Sequence, residues 1–174
     1  MPGILAFLGP EGTYTEQACI AYDPHSQRRA YSTIFQVAEA VQLSEVDEGI
    51  VPIENSVGGS VSATLDLLVH ESAPLIRKEI VIPIRHFLVV RPGTLVGDIT
   101  SIYSHPQALD QCRRYVTKHL PQAQEIASMS TATAVKQMLI HDGNAGAIAT
   151  ERAATLYNAE VIASGIEDYP NNMT

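Results

Sequence analysis

Four short stretches place small polar residues where a strand would hand over to a helix: Gly9-Pro10-Glu11-Gly12-Thr13-Tyr14-Thr15, Asn55-Ser56-Val57-Gly58-Gly59-Ser60, Ser104-His105-Pro106-Gln107 and Ser130-Thr131-Ala132. Ser, Thr and Asn at a helix start accept hydrogen bonds from the first backbone N–H groups, and the N–H groups left over favour an anion. Such junctions suit the holding of a small anionic metabolite. Plain N-capping accounts for any one of them alone, but four together at strand ends favour a ligand site. Glu54 follows the apolar run Ile50-Val51-Pro52-Ile53 and precedes Asn55-Ser56, where a strand delivers side chains into a cleft. Its carboxylate there is an acid, a base or an orienting group, or else a solvent-facing loop charge or a cap to a neighbouring helix. His105 likewise has a structural hydrogen-bonding reading beside a chemical one.

Several chemistries are disfavoured by pattern. Gly9-Pro10-Glu11-Gly12 matches neither the Gly-x-Gly-x-x-Gly fingerprint nor the Walker loop, so no nucleotide cofactor is expected. There is no Gly-x-Ser-x-Gly elbow, and adjacency of Ser104 and His105 does not make a nucleophile and its base. His25, His70, His86, His105, His119 and His141 are scattered, and Cys19 and Cys112 lack metal spacing, so no metal site and no disulfide is expected. With 11 Lys+Arg against 19 Asp+Glu the net charge is -8, which argues against neutralising nucleic-acid phosphates. The start Met1-Pro2-Gly3-Ile4 carries no charged leader, and no apolar run reaches membrane-spanning length. The expectation is therefore a cytoplasmic protein with no membrane partner.

The elements that must position these residues follow a β-α rhythm. A chain of 174 residues, 45% hydrophobic, can bury a substantial core as one domain or two small lobes. The patterns predict a strand at 4–8, a helix at 15–22, a strand at 29–32, a helix at 34–43 and a strand at 49–53. A helix at 60–70 follows, then a bent strand or two strands over 75–90 carrying Pro83. The rhythm resumes with strands at 101–104, 125–127, 145–149 and 160–163 and helices at 106–119, 131–141 and 151–156. The series divides into similar halves, giving an α/β fold of two similar lobes with a crossover near residues 80–85. Residues 1–80 with 166–174 form the first lobe and 81–165 the second. The polar, loop-like Gly165–Thr174 reads as a truncation before a further strand.

The four junctions, with Pro52-Ile53-Glu54 ahead of the second and Ala108 after the third, resemble motifs of the prephenate dehydratase family, in the family's order. Gly165-Ile166-Glu167-Asp168 with Asn172-Met173-Thr174 is similar to that family's last motif. The resemblance spans nearly the whole chain. It implies two lobes like those of type II periplasmic binding proteins with the active site in the cleft between them, and conversion of prephenate to phenylpyruvate, water and carbon dioxide in phenylalanine biosynthesis. No cofactor is implied, and the implied assembly is a homodimer. The family's last motif reads Thr-Arg-Phe, whereas this sequence ends at Thr174, and no ACT domain is present. The expectation is a catalytic fragment, with phenylalanine regulation only if an ACT domain is restored.

By the same resemblance Thr174 is carried over as a catalytic residue at the departing hydroxyl. Glu54 is expected to act as proton source or to orient that hydroxyl, and Asn55 and Gln107 to donate hydrogen bonds as charge develops. Substrate anchoring falls to Thr13, Ser56, Ser104, His105, Ser130 and Thr131. Arogenate stays open as an alternative substrate, and a non-catalytic carboxylate-binding protein as an alternative class.

Overall fold

The computed structural model describes residues 3–69 and 74–174. The chain divides into two compact units, one formed up to Ile84 together with Asn172–Thr174, the other by Arg85–Asn171. Residues 81–84 thus belong with the first unit, and 166–171 with the second, where the sequence divided the chain slightly earlier at both places. Side-chain placement gives the reason: Ile166 packs into the second unit's core beside Leu88 and Ile148.

In the first unit β1 (Ile4–Leu8), α1 (Tyr14–Tyr22), β2 (Gln27–Tyr31), α2 (Ile34–Gln42) and β3 (Glu48–Ile50) make a parallel sheet of order β2-β1-β3. Alternate residues of β1 serve opposite faces: Leu5 and Phe7 pack with Cys19 of α1, and Ala6 packs with Val37 and Ala40 of α2. A strand covered on both faces must read as a continuous apolar run, as this one does. Helix α2 approaches β3 so closely that a Cβ on Gly49 would lie 2.7 Å from Val37 Cγ1. Next come β4 (Glu54–Asn55), β5 (Gly59–Ser60) and α3 (Ser62–Leu68). The expected end of that last helix at His70 lies outside the described residues.

The second junction differs from its sequence reading. Asn55 to Ser60 forms an antiparallel hairpin, with Glu54 opposite Ser60 and Asn55 opposite Gly59, and not a helix cap. Asn55 Oδ1 accepts from the N–H groups of Val57 at 3.1 Å and Gly58 at 2.8 Å, and Gly59 takes a φ of 78°. An Asx turn followed by a left-handed glycine is a hairpin device, so the chain reverses before α3 begins. The cap residue of α3 is Val61, which offers no side-chain bond.

The second unit contains β6 (Phe87–Val90), β7 (Ser101–Ser104), α4 (Pro106–Gln111), α5 (Arg113–His119), β8 (Gln124–Ala127), α6 (Thr131–Ile140), β9 (Ala145–Ala149), α7 (Glu151–Leu156) and β10 (Glu160–Ser164). Its sheet has the order β10-β6-β9-β7-β8, parallel across β9-β7-β8 and antiparallel where β6 meets β9 and β10. Leu88, Ile102 and Ile148 face α4 and α5, while Val89 and the alanines Ala145, Ala147 and Ala149 face α6 and α7. Cys19 and Cys112 are both buried, which raises the Cys19 thiol to about 12 and pushes Cys112 higher still; neither is a reactive thiolate. No helix among the described residues is long and apolar enough to cross a membrane.

Two expected elements changed form. The helix predicted over 106–119 is two helices broken at Cys112, because Asp168 serves both sides of the break. Its carboxylate accepts from Arg114 N at 3.2 and 3.3 Å, and its own N–H donates to Gln111 O at 2.6 Å. The strand expected across 75–90 is regular only at β6. Before it, Ile82 and Ile84 pair with Thr174 and Asn172 around a bridge from Pro83 to Met173. Pro83 has no N–H to give, and the ladder uses the N–H groups on either side of it.

Candidate active site

Parallel strands put their following loops at one end of a sheet, and each unit gathers candidate residues there. In the first unit these are Thr13 after β1 and the hairpin of Glu54, Asn55 and Ser56 shortly after β3. In the second they are Ser104, His105 and Gln107 after β7 and Ser130 with Thr131 after β8.

The first-unit junction at α1 is already filled. Thr13 Oγ1 accepts from Glu16 N at 3.4 Å and donates to Pro10 O at 2.9 Å, so its hydroxyl is occupied in capping. Glu16 is 3% exposed, and its carboxylate accepts from Gly12 N at 2.6 Å. The Thr13 hydroxyl caps as in a capping box, but the Glu16 carboxylate reaches one residue further back, to Gly12 N, and sits where a ligand anion would.

The hairpin holds the other first-unit residues. Glu54 is exposed, and Asn55 spends its side-chain oxygen on the turn. Thr174 arrives from 120 positions along the chain: its hydroxyl donates to Glu54 O at 2.9 Å. Its N–H and C=O pair with Ile82 at 3.0 and 2.9 Å. Sequence reasoning selected both Thr174 and Glu54, and the structure brings them together. Ser56 hydrogen-bonds not to open space but to the same terminal segment, accepting from Met173 N at 2.9 Å and donating to Asn172 Oδ1 at 3.1 Å.

In the second unit the candidates separate. Ser104 is fully buried and donates to Ile148 O at 2.7 Å, which ties β7 to its neighbour β9 and leaves no hydroxyl hydrogen for a ligand. His105 caps α4 by accepting from Gln107 N at Nδ1, 3.3 Å, and burial holds its imidazole below the ordinary value. The neutral ring so favoured keeps its proton on Nε2, a donor without charge. The side chain of Gln107 is exposed. Ser130 caps α6 through Thr133 N at 3.0 Å, and Thr131 is the first residue of that helix, 8% exposed. The N–H groups of Thr131 and Ala132, ahead of the capped one, have no intrahelical acceptor.

Local sequence reasoning missed a buried group in the second unit. His86, 2% exposed, donates its backbone N–H to Glu167 Oε2 at 2.9 Å and meets Gln111 Oε1 through Nε2 at 3.0 Å, while Arg85 pairs with Glu167 at 2.8 Å. Burial, outweighing Gln111 and Glu167, lowers the His86 imidazole from its ordinary value. Burial pushes the Glu167 carboxyl up, but Arg85 and the His86 N–H hold it below its ordinary range. Its signal was present in Gly165-Ile166-Glu167-Asp168, read only as a motif. A shallow depression of about 290 Å³ beside Tyr31, Gln36, Glu39 and Glu45 contains none of the candidate residues. Among the described residues no group of His, Cys, Asp and Glu is arranged to hold a metal ion.

The family model for prephenate dehydratase matches residues 5–174. The chain belongs to the prephenate dehydratase family. It is 38% identical over 175 residues to the bifunctional chorismate mutase/prephenate dehydratase of Neisseria gonorrhoeae, covering 99% of this chain and 48% of that protein. It is 37% identical over 172 residues to the chloroplastic arogenate dehydratase/prephenate dehydratase 1 of Arabidopsis thaliana, covering 98% of this chain and 43% of that one. Among solved structures, prephenate dehydratase from Arthrobacter aurescens in complex with L-Phe superposes with a TM-score of 0.89 at 34% identity, covering 98% of this chain and 60% of that one. The chain spans about half the length of the curated relatives it matches.

Proposed function

We propose that this chain carries the catalytic machinery of a prephenate dehydratase. The observation that carries the reading is the meeting of Thr174 with Glu54 in a chain whose family match runs to its last residue. The reaction takes up one proton and releases water and carbon dioxide as the ring becomes aromatic. The protein must donate a proton or hydrogen bond to the departing ring hydroxyl and hold the pyruvyl carboxylate, while leaving the ring carboxylate weakly solvated so that it departs.

Thr174 and Glu54 take the first task. In the arrangement seen, the Thr174 hydroxyl points its hydrogen at Glu54 O, so donation to a leaving hydroxyl requires that bond to be exchanged, at a cost of about 1 kcal/mol. A threonine hydroxyl is a poor acid near neutrality, so Thr174 serves as hydrogen-bond donor, and Glu54 either supplies the proton or orients the departing hydroxyl. Asn55 keeps its amide nitrogen as a donor after its oxygen is committed to the turn. Thr131, with the open N–H groups of α6, and neutral His105 and Gln107 supply carboxylate anchoring and charge stabilisation without adding a cation. Thr13, Ser56 and Ser104, whose hydroxyls are committed within the protein, are left out of this assignment, and Ser130 acts through its cap.

The test is to mix this chain with prephenate and follow phenylpyruvate absorbance, with arogenate in a parallel reaction. Phenylpyruvate is expected; binding without product would make the protein a carboxylate binder instead. Thr174→Ala should lower kcat by about 100-fold or more, and near-normal turnover would remove Thr174 from the mechanism. Glu54→Gln should abolish one limb of the pH–rate profile. The reading extends to a cytoplasmic homodimer, supported by the family resemblance; sedimentation as a monomer at micromolar concentration would count against the dimer.

A further inference from the structure

Ser56 and Asn172 are not explained by contact with a substrate. Ser56 is bound twice to Met173: its N–H donates to Met173 O at 2.9 Å, and its Oγ accepts from Met173 N at 2.9 Å. The hydroxyl oxygen thereby stands in for the backbone carbonyl that a neighbouring strand would offer. Having accepted from Met173, the hydroxyl sends its hydrogen to Asn172 Oδ1 at 3.1 Å. Asn172 is 2% exposed, and its backbone carbonyl accepts from Ile84 N at 2.9 Å. On the far side Ile82 takes both backbone groups of Thr174. The last three residues are held between Ile82–Ile84 on one flank and the Glu54–Ser60 hairpin on the other. The Ser56 side chain bonds both Asn172 and Met173.

The geometry assigns Ser56 and Asn172 as positioning residues for Thr174, forming a side-chain clamp that fixes the Thr174 hydroxyl against Glu54. The assignment rests on the role proposed above for Thr174. One hydroxyl with an acceptor and a donor bond at fixed positions has a single orientation, and so has the segment it grips. Without it the Met173 N–H loses its acceptor, and on the hairpin flank the segment keeps only the Ser56 N–H to Met173 O and the Thr174 hydroxyl to Glu54 O. Thr174 then samples orientations in which its oxygen is displaced from Glu54, and such misplacement lowers the frequency of reactive geometry more than it weakens binding.

The experiment pairs Ser56→Ala with Ser56→Thr, both at an exposed position that tolerates change without unfolding. Amide hydrogen exchange at Met173, measured by NMR on this chain, should quicken at least tenfold in Ser56→Ala and return close to the parent rate in Ser56→Thr, with amides of β7 unaffected. In the same variants kcat for prephenate should fall about tenfold or more for Ser56→Ala, with KM within about twofold, and recover for Ser56→Thr. Unchanged exchange at Met173 would overturn the clamp, whether or not the chain turns over. A rise in KM with kcat preserved would overturn it in favour of a direct substrate contact. Normal turnover in Thr174→Ala would defeat the reading of Thr174 itself, a result distinct from either of these.

Discussion

The helix starts at α1 and α6 look alike in sequence, each with a hydroxyl cap after a parallel strand, yet they end in opposite states. At α1 the third helical residue is Glu16, whose buried carboxylate takes the Gly12 N–H and fills the anion position. At α6 the corresponding residue is Thr133, uncharged, which bonds its neighbour Ser130 and supplies no carboxylate to the positive end of the helix. The capping residue makes a helix start, but the residue three positions later decides whether that start remains available to a ligand. A glutamate at that position converts an anion site into a structural joint.

Removing the internal anion is the harshest way to break this contrast. Glu16→Ala should cost about 2 kcal/mol of stability, read from urea unfolding, because a buried N–H loses its charged acceptor. Added phosphate should restore part of the loss in this variant, over and above any stabilisation that the open α6 start gives variant and parent alike. If phosphate stabilises both alike, the two helix starts are not distinguished by Glu16. The complementary change, Thr131→Val, should weaken prephenate binding about tenfold by calorimetry with a nearly unchanged unfolding midpoint. Unchanged affinity would take the α6 start out of the site.

A matched pair of cap deletions sharpens the comparison further. Thr13→Ala and Ser130→Ala should each lower stability by about 1 kcal/mol. Only the second should also raise the dissociation constant for prephenate, since only its helix start is open. Equal effects on binding would erase the difference between the units. The smallest expected effect concerns acid. His86 is held below its ordinary value by burial, so the unfolded chain binds more protons than the folded one as pH falls through about 6.5, and stability is lost in that direction. Glu167, also lowered overall, adds a further loss that begins as pH falls into the ordinary carboxylate range. The slope from His86 cannot exceed about 1.4 kcal/mol per pH unit. Amide exchange should show it first in the second unit, where His86 and Glu167 lie. Retention of the same pH slope in His86→Gln would assign the acid sensitivity elsewhere.

What could be read locally was read well, because its causes are local. The strands at β1 and β9 announce themselves as apolar runs, and both are covered on both faces. Thr13, Ser130 and His105 sit where short-range capping rules put them. Glu54 and Thr174, taken from different motifs, meet through the Thr174 hydroxyl and the Glu54 backbone oxygen at 2.9 Å, a contact across 120 positions that no local rule supplies.

The sequence by itself determined the α/β class, the order of most elements and the polar composition of the strand ends, since periodicity, turn chemistry and caps act over a few residues. It did not determine which of those polar groups stay available. That was decided by partners distant in the chain or on the next strand. Ser104 is used up by Ile148, Ser56 by Asn172 and Met173, and the helix after Pro106 is broken by Asp168. Hydrogen-bond capacity is a finite property of each group, and which partner claims it depends on how the chain returns upon itself. Only the tertiary structure could turn a row of similar hydroxyls into a few that stay available and several that hold the protein together.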